Sequence, residues 1–214
     1  AISSANLDGT TVEALFSDGG GGFLPGTSTI VDPGRGVLLT RIPAGAADGH
    51  LKLRVDGVDS RTVPYTLTPG TFPAGPHAVG GTVSGAGGAA VIVVLVWRDS
   101  AASCEDEGTI VEYALTDGSG AYGPLFHPAG DIELFFGPPS DGTLAARQET
   151  RIGVSSDSTV DVTLTDGFAV TVRVLDDNLN PIENALFEFE LDSGVSDERL
   201  TDAGGNATLP VAAG

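Results

Sequence analysis

The chain has 214 residues, 29 of them acidic against 10 basic, and a formal net charge of −19. Nine scattered arginines and the single lysine, Lys52, cannot neutralise a run of phosphates, so the balance argues against a nucleic-acid binder, and an anionic membrane surface would repel it. Gly 31 and Pro 13, with no window of helix formers at i, i+3, i+4 spacing, predict an all-β chain with almost no helix. The acidity reads as a solvated surface, with cation binding the sharper alternative; salt screens such charges beyond about 8 Å.

Compact domains hold about 100–150 residues and β-sandwiches can be smaller, so the length admits up to three. Cys104 is the one cysteine, which rules out an intrachain disulfide. Its neighbours Asp99, Glu105, Asp106 and Glu107 disfavour a thiolate, so it reads as structural rather than nucleophilic. The chain has no Met, not even at position 1, and is expected to be processed or excised from something longer.

Thr10–Phe16 is predicted as a strand, and Gly19–Gly22 as a loop; no Lys-Ser/Thr follows, so the glycines are no phosphate cradle. Strands are predicted over Val37–Ile42, over Leu51–Asp56, where apolar and charged residues alternate, and over Val63–Thr68. Pro64 offers no amide donor, so the last of these belongs at an edge or a bulge. The run Ile42-Pro43-Ala44-Gly45-Ala46-Ala47-Asp48-Gly49 through Leu51-Lys52-Leu53-Arg54-Val55-Asp56-Gly57 and on to Pro64-Tyr65 resembles the C-terminal half of an IPT/TIG-type immunoglobulin-like domain. That resemblance implies a spacer or binding module of an extracellular protein. The first domain is therefore placed at 1–70, with a Pro/Gly linker at 71–77.

Val79–Ser84 opens a second module. Ala90–Trp97 is a continuous apolar run of strand length, expected to be buried on both faces and too short to span a membrane. Ile110–Phe136 reads strand, turn, strand, turn, strand, with turns at Thr116–Gly120 and Pro128–Gly130. Short strands follow at Glu149–Gly153 and Val160–Leu164. A third module starts with Val170, Val172 and Val174 on one face, and continues in a strand with Phe187, Phe189 and Leu191 inside. Gly81-Thr82-Val83, Val172–Glu190 and the two Thr-Asp turns at Thr116 and Thr201 resemble the carboxypeptidase regulatory-like, or transthyretin-like, β-sandwich. The resemblance implies noncatalytic sandwiches of about seven strands, at home in surface or secreted proteins. The boundaries are 78–166 for the second module and 167–214 for a partial third, in which Thr201–Gly214 repeats Thr116–Gly130 without the strand that follows it as Ile132–Phe136.

No catalytic, cofactor-binding or metal-ligating residue is assigned. His50, His77 and His127 have no nucleophile or metal motif beside them and read as exposed loop residues. Calcium is the one cofactor the turns invite, with Asp176, Asp177 and Asn178 as donors, against the alternative that Asp and Asn serve their own backbone. Trp97 is read as packing rather than as a glycan platform, Asp141 and Glu149 as insufficient for an enzyme, and Asn206-Ala207-Thr208 as the one glycosylation sequon. The function expected is a noncatalytic, extracellular or cell-surface structural or adhesive protein. Its partners are neighbouring modules or subunits at strand edges, with head-to-tail filament assembly by strand complementation, and surface glycans; nucleic acid and membrane insertion of this segment are not expected. The alternative is a carbohydrate-binding accessory region of a secreted enzyme.

Overall fold

A computed structural model describes residues 2–3, 7–67, 75–98, 109–190 and 196–212. The chain divides into two compact units, Ala1–Thr71 and Phe72–Gly214, and among the described residues every regular element is a strand. Cys104 and Leu191 lie outside the described residues, as does the side chain of Phe189.

The first unit contains β1 (Ile2–Ser3), β2 (Val12–Ser17), β3 (Phe23–Pro25), β4 (Thr27–Asp32), β5 (Val37–Arg41), β6 (Gly49–Val55), β7 (Val58–Asp59) and β8 (Val63–Tyr65). One sheet has the order β1-β5-β4; the other runs β3-β2-β6, with β7 and β8 paired to β6. Their apolar faces meet in a core of Leu7, Ala14, Phe16, Leu38 and Leu53, and Tyr65 stacks edge-on against Phe16 at 5.7 Å. β8, with Pro64 at its centre, pairs with β6 alone and is an edge strand, as its missing amide requires. β3 and β4 are not legible in the sequence, because the alternation is broken by a register shift between Thr27 and Ile30, where Ser28 adopts φ 53°. At the end of β4, Asp32 accepts the Arg35 amide at 3.1 Å and pairs with its guanidinium, both residues buried, which locks the 33–36 turn.

The second unit begins with β9 (His77–Ser84), β10 (Ile92–Arg98), β11 (Thr109–Leu115), β12 (Ala121–His127), β13 (Gly130–Gly137), β14 (Arg147–Val154), β15 (Ser158–Thr159) and β16 (Val162–Thr163). An antiparallel sheet β11-β10-β13-β14 faces β12-β9, to whose free side β15 and β16 add in parallel. Val91, Val93, Leu95, Ile132, Leu134 and Phe136 from the first sheet meet Val79, Val83, Tyr122, Leu125, Val160, Val162 and Leu164 from the second. Each such side chain contributes about 1.5–3 kcal/mol before chain entropy is subtracted. β10 is buried on its core face only; Ile92, Val94 and Val96 on the other face are partly covered by the flanking strands β11 and β13.

The edges of this sandwich are sealed by polar groups. Along β9, the carboxylate of Asp157 accepts the Ala78 amide, and that of Asp161 accepts the Thr82 amide and hydroxyl, at 2.7–2.9 Å. Gly81 lets the Val160 carbonyl approach so closely that a Cβ would lie 2.2 Å from it. That carbonyl also takes the Tyr122 hydroxyl at 2.8 Å; burial first, then the charge of Asp161, pushes the phenol up to about 12. On the outer strand β14, Glu149 sits between Arg147 and Arg151 at 2.6 and 3.0 Å, a charged edge that discourages unplanned pairing.

The remaining described strands are β17 (Phe168–Arg173), β18 (Leu186–Glu190), β19 (Ser196–Leu200) and β20 (Asn206–Val211). They form two antiparallel pairs, β17-β20 and β18-β19.

Gly120 has φ 84°, and a Cβ there would meet the Val83 carbonyl oxygen at 2.2 Å, whereas Gly118 two residues earlier faces open space. Gly120→Ala is expected to destabilise the β9–β16 sandwich by about 1–3 kcal/mol, against less than about 0.5 kcal/mol for Gly118→Ala. Urea unfolding followed by the fluorescence of Trp97, the only tryptophan, measures this sandwich directly; equal effects of the two substitutions would refute the assignment.

Candidate interaction surface

The chain crosses from one sheet to the other at Thr116-Asp117-Gly118-Ser119-Gly120, between β11 and β12. Thr116 donates its amide to the Val91 carbonyl at 3.0 Å and accepts the Val91 amide on its hydroxyl at 2.9 Å. Asp117 donates its amide to the Ala121 carbonyl at 2.9 Å, while its Oδ1 accepts the amides of Ser119 and Ala121. Gly120 then offers its carbonyl to the Val83 amide at 2.8 Å.

Each of these bonds recurs between β19 and β20. Thr201 exchanges the same two bonds with Ala185 at 3.0 and 2.8 Å. Asp202 repeats Asp117, taking the amides of Gly204 and Asn206 at 2.8 Å, and the Gly205 carbonyl takes the Val174 amide at 2.8 Å. The ladders repeat as well: β17-β20 matches β9-β12, and β18-β19 matches β10-β11, with Leu186 opposite Leu200 as Ile92 is opposite Leu115.

The four strands β17–β20 thus reproduce the first half of the preceding sandwich. What β13, β15 and β16 supply there has no counterpart among the described residues. The consequence is an open core. Val79 and Val83 are almost fully buried, but the matching Val170 and Val174 are only half-buried, as is Phe187 in the place of Val93. Phe168 is 70% exposed. Ala207 and Leu209 are buried. The inner side of β19 carries a buried Asp197–Arg199 pair at 2.6 Å. Each of β17 and β18 keeps one edge to which no described strand is bonded.

Elsewhere the acidic turns are occupied by their own backbone. Asp176 accepts the amides of Asn178 and Asn180 at 2.8 Å on Oδ1 and the Asn180 side-chain amide on Oδ2; Asp18 accepts those of Gly20 and Gly22. Asp177 and Asn178 are exposed, and among the described residues no group of three or more His, Cys, Asp or Glu comes together. Trp97 packs against the sandwich core and donates its indole N–H to the Ala129 carbonyl at 3.1 Å. Asp141 is exposed, Glu149 is held by its two arginines, and the Asn206 side chain donates to Asp202 at 3.2 Å. His50 is exposed on β6, but His77 opens β9 half-buried and His127 closes β12 fully buried, which corrects their reading as exposed loop residues. β12 carries its inward alternation through Leu125 to His127 before Pro128, lacking an amide, ends it.

No family model and no curated protein matches the chain. Among solved structures, a streptococcal ancillary pilin is similar over 98% of this chain and 82% of that chain, at 13% identity and a TM-score of 0.28. A likeness of that degree carries no argument about function.

The turn carboxylates are held below the ordinary carboxylate range: Asp117 by the Ser119 hydroxyl and the amides it caps, Asp176 by the Asn180 side chain and amide, Asp202 by the Asn206 amide. A depressed folded-state value means that each turn's contribution is complete above the unfolded value of about 3.9 and is lost as pH falls through the folded one. Carboxyl-detected NMR titration is expected to place all three midpoints below the unfolded-state value of about 3.9. Midpoints at or above that value would contradict the capping geometry.

Proposed function

We propose that this chain is a noncatalytic structural or adhesive part of an extracellular or cell-surface protein, in which IPT/TIG-like and carboxypeptidase regulatory-like modules associate through strand edges. In this reading the β17–β20 half-sandwich takes complementing strands from a neighbouring subunit, and repetition of that step gives a head-to-tail filament. The observation that carries the reading is the half-sandwich itself: the same four strands and the same corner occur twice, and among the described residues only the first copy is covered. The equivalent slots of the complete copy indicate the geometry, one strand antiparallel to β18 as β13 is to β10, and one parallel to β17 as β15 and β16 are to β9. Apolar faces left half-exposed in this way favour association. The capped or ion-paired carboxylates support a scaffold better than an active site. Nor do the exposed aromatics favour carbohydrate binding: among the described residues, the large exposed hydrophobic side chains include only two aromatics, Phe126 and Phe168, which lie on different strands.

Size-exclusion chromatography with light scattering, over a range of concentrations, is expected to show association. Phe187→Asp should weaken it at least about tenfold, as placing a charge in an apolar interface does, while Ile152→Asp on the outer strand β14 leaves it unchanged. A chain that stays monomeric, or that associates equally well with Phe187→Asp, would overturn the proposal.

A further inference from the structure

His77 and His127 are directly opposite each other in the β9-β12 ladder, two positions from the buried pair Val79 and Leu125. Side chains two residues apart on a strand share a face, so both imidazoles leave the sheet on its inner side. Their ring centres are 5.9 Å apart, tilted by 45°. His127 is fully buried, and Gly75 packs so closely against its backbone that a Cβ there would lie 2.4 Å from the His127 main-chain nitrogen. The Nδ1 of His127 lies 2.7 Å from the Pro128 carbonyl oxygen. A carbonyl only accepts, so Nδ1 carries the proton and Nε2 presents a lone pair. That Nε2 is buried and has no hydrogen-bond partner among the described residues, an arrangement that is unfavourable unless something fills it.

We propose that His77 and His127 together bind one divalent late first-row transition ion, with Cu²⁺ held more tightly than Zn²⁺. Three features support this. The carbonyl contact at Nδ1 is the outer-shell partner that fixes the tautomer of a metal-ligating histidine and orients its ring. Two imidazoles bound to one ion at about 2.0–2.1 Å per bond have ring centres about 5–6 Å apart, so the observed spacing needs little adjustment. Neutral imidazole pairs suit Cu²⁺, Ni²⁺ and Zn²⁺, and Cu²⁺ leads the affinity order. No third protein ligand stands beside the pair among the described residues. The inference does not depend on the strand-complementation reading, because the pair belongs to the complete sandwich.

The test is titration of the whole chain with Cu²⁺, followed by electron paramagnetic resonance, in a Cys104→Ser background that removes thiol chemistry. One equivalent is expected to bind, with hyperfine structure from two imidazole nitrogens and a melting temperature raised by a few degrees in excess metal. His77→Gln, at the half-exposed position least able to disturb folding, should lower the affinity at least about tenfold and remove one nitrogen from the spectrum; His50→Gln should change neither. Zn²⁺ should compete at higher concentration. Absence of saturable binding, or binding that survives His77→Gln with its spectrum unchanged, would overturn the assignment. Circular dichroism of the variant verifies that lost binding is not lost folding.

Discussion

The corner at Thr116–Gly120 is the constraint on which the second unit rests. A strand leaving one sheet must reverse and enter the other within five residues, with its backbone groups still bonded. Threonine ties the corner to the start of β10, aspartate closes it on itself, and a glycine with positive φ passes beneath β9. Only a residue without a Cβ passes there, since the Val83 carbonyl occupies the space. The second corner at Thr201–Gly205 repeats the solution bond for bond. It orients four further strands as the first half of a sandwich, whether or not anything covers them.

The acidity of the chain acquires a specific meaning from the same geometry. Asp18, Asp117, Asp176 and Asp202 each hold two amides of a tight turn, and Asp157 and Asp161 hold amides along β9. These carboxylates satisfy donors that a chain of short strands and many turns would otherwise leave to solvent. Asp59 shows the ion-paired counterpart, bonded by Arg54 and then by Lys52, and is held at about 2. A large part of what resembles a cation-seeking surface is backbone architecture.

The sequence made the alternating strands legible. Leu51–Val55, Ile132–Phe136 and Val170–Val174 each carry a period of two strong enough to identify the inner face, and Pro64 marked its own edge. The repeat of Thr116–Gly120 at Thr201–Gly205 was also visible in the residues. Less legible were elements whose pairing is decided at a distance. β3 and β4 contain a bulge and a residue at positive φ, and β15 and β16 are two residues each, held by β9 rather than by their own pattern. His77 and His127 read as exposed in the sequence because a histidine beside a proline gives no local sign of facing inward. Only the ladder between two strands about fifty residues apart brings the two rings together.

The parallel pairing of β9 with β15 and β16 bears on how this sandwich would carry load. The β9–β16 sandwich begins at the start of β9 and ends just past β16, and because these strands run side by side in the same direction, the two points lie at opposite ends of one ladder. Tension along the chain therefore pulls the strands past each other in shear. The bonds of the ladder, including the Asp157 and Asp161 caps, are strained together rather than peeled one by one, and the module resists extension before any of its core is exposed.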